Sequence, residues 1–522
     1  MTASPTSLPG VLQDAPLVLP SYDDPVVAGA ATAVGGPPGR HSRLGRPGFW
    51  TPVRWIVLIT LLTSLLGWWQ KSPCRVQPWV EEYQYTRGCY TDVFALYFAE
   101  RLNEGATPYA DHPVEYPVVI GAVMQVAAKA VTVFEPDERP RHFYDVTWAI
   151  LTACAVVVAV TTSRLAGRRR PWDAAMFAAA PLLVLHGSTN WDLVAMALAG
   201  LGLLQWARRR PLAAGVLLGL ATATKLYPVL FLVPLLALCL RAGRLRAWGV
   251  TAAALVLTPV LVSLPVYLTS PYFADVGGRQ MAVAASPLDR VGEQGLQALA
   301  PKVTTVTPEG LPVTGVNAAY RFFDLNTTRP ADWDSLWFVL QKVRGDVPLD
   351  QGLAPGEAPH LLNRGVAVLF VLALVGIVVL VLKAPRRPRL AQVLFLTVLA
   401  FLLTNKVWSP QFSIWLVPLA LLARPRWRTL LAWQAAEALV LLTRFYFFVG
   451  NDEPGEGIDV KWFITAVSLR DLALLGLAWL VVRDVLQPDR DVVRRDGVDD
   501  PMGGVLDETV EPAARTPDLV RS

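Results

Sequence analysis

Long apolar runs, separated by short polar stretches, recur along most of this chain. The clearest are Val53–Trp69, Trp148–Ser163, Trp248–Tyr267, Leu361–Leu382, Leu390–Leu403, Leu430–Leu442 and Trp462–Val482. A helix needs roughly 20 apolar residues to cross a bilayer, and several of these runs reach or approach that length. Tryptophans sit near the ends of the runs (Trp55, Trp68, Trp69, Trp148, Trp248, Trp408, Trp462), where an interfacial aromatic belt places them. The pattern predicts an all-α, polytopic helical membrane protein.

The polar stretches between runs carry a charge code. Arg40–Arg46, Arg168–Arg170, Arg208–Arg210, Arg241–Arg246, Lys383–Arg389, Arg424–Arg428 and the stretch from Arg483 onward are short and basic, and such loops stay in the cytoplasm. Counting runs between them gives about twelve spans with both termini cytoplasmic, and two large outer loops at residues 70–148 and 270–360. One apolar stretch, Tyr116–Phe134, breaks the parity. It carries Gln125 and Lys129 and opens on Glu115-Tyr116-Pro117, so it reads as an interfacial or re-entrant helix of the first outer loop. The flanks, residues 1–49 and 488–522, are polar and rich in Pro, Gly or charge, and read as disordered cytoplasmic tails around a membrane domain at 50–487. The long polar stretch before the first run is also unlike a cleavable signal peptide.

Composition narrows the class further. With 53% hydrophobic and 17% charged residues, and a mean hydropathy of +0.40, a soluble globular protein is excluded. The net charge of +5 resides in topology-setting loops, so nucleic acid is not an expected partner; membrane lipids are. No cluster has metal-ligand spacing, and neither metal nor cofactor is expected.

By the same parity, the polar residues near helix ends fall on the outer side. Cys74 and Cys89 share the first outer loop, and an oxidising compartment favours a disulfide between them; two unrelated small buried residues are the alternative. After them, Phe94, Tyr97, Phe98 and Leu102 recur at helical spacing and Gly105 stops the helix, which predicts an amphipathic surface helix over Asp92–Leu102. Asp92 lies in its first turn. A helix-capping acid and a catalytic carboxylate are both open readings of it.

The run Tyr90-x-Asp92, x4, Tyr97, followed by Leu102-x-x-Gly105-x-x-Pro108-Tyr109 and Glu115-Tyr116-Pro117, resembles the first outer loop of glycosyltransferase family 87. That family includes polyprenyl-phosphate-mannose-dependent mannosyltransferases. Three more pieces are similar: Gly187-x-x-Asn190-x-Asp192; Gly215-x3-Gly219-Leu-Ala-x3-Lys225-x-Tyr227-Pro228; and Asn405-Lys406-x-x-Ser409-Pro410-Gln411 with Trp415 and Pro418. The likeness runs from about Val53 to Val482. The middle outer loop matches nothing, and Tyr116-Pro117-Val118 stands where the family has Tyr-Pro-Pro.

The resemblance implies a GT-C bundle whose first outer loop carries the catalytic acid, here Asp92. It further implies transfer of a sugar, mannose in the named members, from a polyprenyl-phosphate donor to a glycolipid or glycan of the cell envelope. The site is then extracytoplasmic in a multi-pass cell-membrane protein. Such an inverting transfer needs one base for the acceptor hydroxyl and cations for the leaving phosphate. Asp92 is the expected base. Lys225, Lys406 and Arg444 are the expected phosphate cations, against snorkelling to lipid headgroups. Glu115, Tyr116, His186, Asn190, Asp192, Tyr227, Asn405 and Gln411 complete the candidate substrate-binding set, a lone His being ordinarily just a satisfied hydrogen-bonding group. The competing class is a transporter or flippase of lipid-linked sugars. That class favours internal repeats and polar groups at mid-membrane, neither of which the sequence displays.

Overall fold

A computed structural model describes residues 24–34, 49–76, 79, 82–306, 310, 312–354, 356–452, 456–495, 497 and 499–508. Most of the expected N-terminal tail, and the chain beyond 508, lie outside the described residues. In chain order the first helices are α1 (Pro25–Val34), α2 (Pro52–Val76), α3 (Tyr83–Thr86), α4 (Asp92–Ala99), α5 (Val118–Ala130) and α6 (Arg139–Leu165). The bundle continues through α7 (Ala175–Ala178), α8 (Pro181–His186), α9 (Asp192–Ala207), α10 (Pro211–Thr222), α11 (Leu232–Ala242) and α12 (Leu245–Thr269). The middle loop carries four strands and α13 (Pro287–Gln294), α14 (Arg321–Thr328) and α15 (Leu336–Val343). The remainder is α16 (His360–Lys383), α17 (Leu390–Thr404), α18 (Leu416–Ala423), α19 (Trp427–Asp452), α20 (Val460–Leu486) and α21 (Val492–Arg495).

Among the described residues, six helices are long and apolar enough to cross a membrane: α2, α6, α12, α16, α19 and α20. The other apolar runs are shorter helices, such as α9, α10 and α17, so length alone supports six spans of the expected twelve. The run expected as one span over Ala174–His186 is broken into α7 and α8, because Pro181 opens a new helix there. Helix α5 has 13 residues, about 20 Å at 1.5 Å per residue, which is too short for a bilayer core. This agrees with its reading as a helix that does not span.

Close helix packing explains part of the motif pattern. A Cβ on Gly215 would sit 2.4 Å from the Thr251 carbonyl oxygen, and one on Gly219 would sit 2.9 Å from that of Leu255. The two glycines, four residues apart on one face of α10, let its backbone lie directly against α12. That packing fixes the following turn, which carries Lys225.

The middle loop departs from a purely helical reading. Strands β1 (Tyr272–Val276), β2 (Arg279–Ala284), β3 (Lys302–Val306) and β4 (Pro312–Asn317) form an antiparallel sheet in the order β2-β1-β4-β3. Gly277 and Gly278, both at positive φ, make the two-residue turn between β1 and β2. Two adjacent left-handed residues match the twist of a tight hairpin, which glycine adopts without strain.

The opposite, basic end of the bundle is closed by the C-terminal segment. The described residues between 488 and 508 pack onto the bundle instead of forming a tail: Asp491, Met502 and Leu506 are buried, and Asp491 pairs with Arg389, at 2.7 Å (Nε to Oδ2) and 3.0 Å (Nη2 to Oδ1). Arg389 also donates to the Leu422 and Ala423 carbonyls, and Asp500 accepts from the Leu390 N–H at 2.9 Å. Composition read as disorder because the apolar residues here are few; they are concentrated where the segment meets the helix ends.

Candidate active site

At the other end, the first loop is tied to the bundle before it reaches Asp92. Cys74 at the end of α2 is disulfide-bonded to Cys89, and Lys71 donates to the Tyr90 carbonyl at 2.8 Å. The bridge closes a short loop, so Cys89→Ser is expected to cost about 2–4 kcal/mol. Thermal unfolding with and without reductant checks this, and reductant should leave the variant unchanged.

The structure assigns the cap of α4 to Thr91, not Asp92. The Thr91 hydroxyl accepts from the Val93 N–H at 3.3 Å and donates to the Ser188 carbonyl at 2.9 Å. The Asp92 carboxylate is therefore free of capping, and three separate segments grip it. Tyr90 Oη donates to Oδ1 at 2.8 Å, while Asn190 Nδ2 and Gln411 Nε2 donate to Oδ2 at 2.7 and 3.2 Å. Asn190 Nδ2 also reaches Tyr116 Oη at 2.6 Å. The charge of Asp92, with burial, pushes the Tyr90 phenol far above its ordinary value, so that phenol remains a donor.

Asp92 lines a cavity of about 500 Å³, together with Lys71, Glu115, Tyr116, His186, Gln411 and Arg444. Arg444 pairs with the buried Asp334 at 2.7 Å. His186 is not the satisfied group that a lone histidine suggests: it is buried, and neither ring nitrogen has a hydrogen-bond partner among the described residues. Lys71 was missed by sequence reasoning, although an isolated lysine at the end of the first apolar run was a usable signal.

A smaller neighbouring cavity of about 110 Å³ holds Lys225, Tyr227, Asn405, Phe412 and Trp415, and shares Glu115, Tyr116, Ser409 and Gln411 with the first. Lys225 Nζ lies 3.5 Å from Asp192 Oδ1 and 4.6 Å from the Tyr116 ring centre. Asp192 is buried behind it and accepts from Trp415 Nε1 at 2.8 Å, and the Trp415 ring stacks on Tyr227 at 4.5 Å. Asn405 turns back onto the Val407 carbonyl at 2.8 Å.

Lys406 is not brought to either cavity. Its ammonium donates to the Thr327 and Arg329 carbonyls at 3.1 and 2.6 Å, pinning the middle loop to the bundle. Burial, with Arg329 nearby, lowers it to about 8. Among the described residues, no group of three or more His, Cys, Asp and Glu could hold a metal ion.

A carboxylate held by three segments at one end of a helical bundle can accept a proton, and Lys71 and Arg444 in the same cavity lining can face an anionic group. The chain belongs to glycosyltransferase family 87, whose model matches residues 140–410, just over half of its length. It is a membrane glycosyltransferase. The matched stretch contains His186, Asn190, Asp192 and Lys225, whereas Asp92 precedes it and Gln411 follows it, so the case for Asp92 and its Gln411 contact rests on geometry. No curated protein matches. Among solved structures, ArnT from Cupriavidus metallidurans bound to undecaprenyl phosphate is similar at 13% identity and a TM-score of 0.36, over 84% of this chain and 78% of that one.

Proposed function

We propose that this enzyme transfers mannose from a polyprenyl-phosphate donor to a glycolipid or glycan acceptor of the cell envelope, on the extracytoplasmic side of the cell membrane. The observation that carries the reading is the Asp92 carboxylate, oriented by Tyr90, Asn190 and Gln411 in the wall of a cavity that also presents Lys71, His186 and Arg444. Asp92 takes the proton of the acceptor hydroxyl as that oxygen attacks the sugar's anomeric carbon. The bond from that carbon to the phosphate oxygen breaks, and the polyprenyl phosphate leaves with its charge facing Lys71 and Arg444. One carboxylate is enough for a direct displacement with inversion. Lys225, paired with Asp192, belongs to the acceptor side in this reading, and Lys406 only holds the loop.

Incubating the purified protein, reconstituted in vesicles, with radiolabelled polyprenyl-phosphomannose and a membrane lipid extract tests the proposal. Label moving to a new lipid or glycan supports it. Label that crosses the bilayer on an intact donor would establish the transporter instead. The orientation has its own check: cysteines placed at the exposed Asn103 and Glu293 are expected to react with an impermeant thiol reagent in intact cells. Protection at both would put the site on the cytoplasmic side.

A further inference from the structure

The middle loop matched no motif, yet it delivers one side chain to both cavities. Arg329, which ends α14, lines the large cavity beside Asp92 and the small one beside Lys225. Its Nη2 lies 2.9 Å from Glu115 Oε2, so this ion pair joins the first and middle loops at the wall the two cavities share.

The backbones on both sides are held. The Arg329 carbonyl accepts from buried Lys406 at 2.6 Å, and its N–H donates to the Leu325 carbonyl at 2.9 Å. The Glu115 N–H donates to Glu100 Oε1 at 3.2 Å, and Glu100 is itself buried against His112. The side-chain heads are different: Arg329 and Glu115 are 42% and 44% exposed. A half-exposed pair of this kind contributes little to stability, so its exchange for another partner costs little. A phosphodiester is the stronger partner, because the planar guanidinium can fork onto two of its oxygens.

We infer that Arg329 is a substrate-binding residue that engages the donor's phosphodiester, and that Glu115 holds it in reserve while the site is empty. Lys406 is its positioning residue. On binding, the Arg329–Glu115 pair opens, the guanidinium moves onto the phosphate, and the wall between the two cavities is removed where donor and acceptor must meet. This rests on the donor class proposed above.

The distinguishing feature is the sign of two substitutions. In nanodiscs without acceptor, binding of radiolabelled polyprenyl-phosphomannose, the proposed phosphodiester donor, is expected to weaken about 10- to 100-fold in Arg329→Gln, from loss of charge-assisted hydrogen bonds. Glu115→Gln should tighten it several-fold, because the competitor for the guanidinium is gone. Arg329→Lys should fall between wild type and Arg329→Gln. Undecaprenol, which lacks the phosphate, should bind all variants alike. A pair that only braces the loops predicts that Glu115→Gln weakens binding as much as Arg329→Gln does, and that result overturns the inference. Should Arg329→Gln fail to fold, the sign of Glu115→Gln still decides. A wild-type protein that binds both lipids equally removes the donor reading itself, and this inference with it.

Discussion

Asp92→Asn is expected to lower sugar transfer by about 10²–10⁴-fold, the usual loss when a positioned base is removed, while the protein still folds and binds donor. The neighbours explain why folding survives. Turning the amide so that its oxygen faces Asn190 and Gln411 leaves its nitrogen to donate to the Tyr90 oxygen, so the three contacts are kept in altered form. The cap of α4 is untouched because Thr91 provides it. What remains is loss of a first-turn negative charge, worth about 0.3–1 kcal/mol. Transfer rates and thermal unfolding, measured on the same preparation, separate the outcomes. A folded Asp92→Asn protein with near-normal transfer would end the case for Asp92 as base.

Asp491→Ala is expected to destabilise the fold by about 3–5 kcal/mol, the range for stranding one member of a buried ion pair. The Arg389 and Asp491 side chains are each 2% exposed. Without the carboxylate, Arg389 keeps its bonds to the Leu422 and Ala423 carbonyls but holds an uncompensated charge. Replacing both, as Arg389→Met with Asp491→Leu, should cost less than Asp491→Ala alone, since no charge is left buried. Unfolding of the three variants in one detergent measures this. Equal stability of Asp491→Ala and wild type would show that the C-terminal segment does not hold the helix ends together.

Much of the site was legible in the chain because membrane helices restrict where polar residues can lie. Asn190 and Gln411, from motifs far from Asp92 in sequence, meet at its carboxylate, and Tyr116 joins them through Asn190. The partners of the candidate cations were not legible, for a common reason. Lys406 looked like a phosphate cation because an isolated lysine at a helix end has no visible partner in sequence. Its partners are backbone carbonyls of the middle loop, which composition cannot reveal. Arg444 and Lys225 likewise have carboxylate partners, Asp334 and Asp192, that lie far away along the chain.

The sequence by itself determined the helical membrane class, the segregation of basic loops, the short non-spanning helix α5 and the motif residues around Asp92. These follow from local periodicity, length and the cost of burying charge in lipid, all of which are written in neighbouring residues. Only the tertiary structure decided that Thr91 caps α4, that Lys71, His186 and Arg329 reach the cavities, that a sheet sits in the middle loop, and that Asp491, Asp500 and Leu506 fasten the C-terminal segment to the basic end. Each depends on pairing between segments far apart in sequence, and a hydrogen bond or ion pair has no signature until the fold brings its two halves within reach.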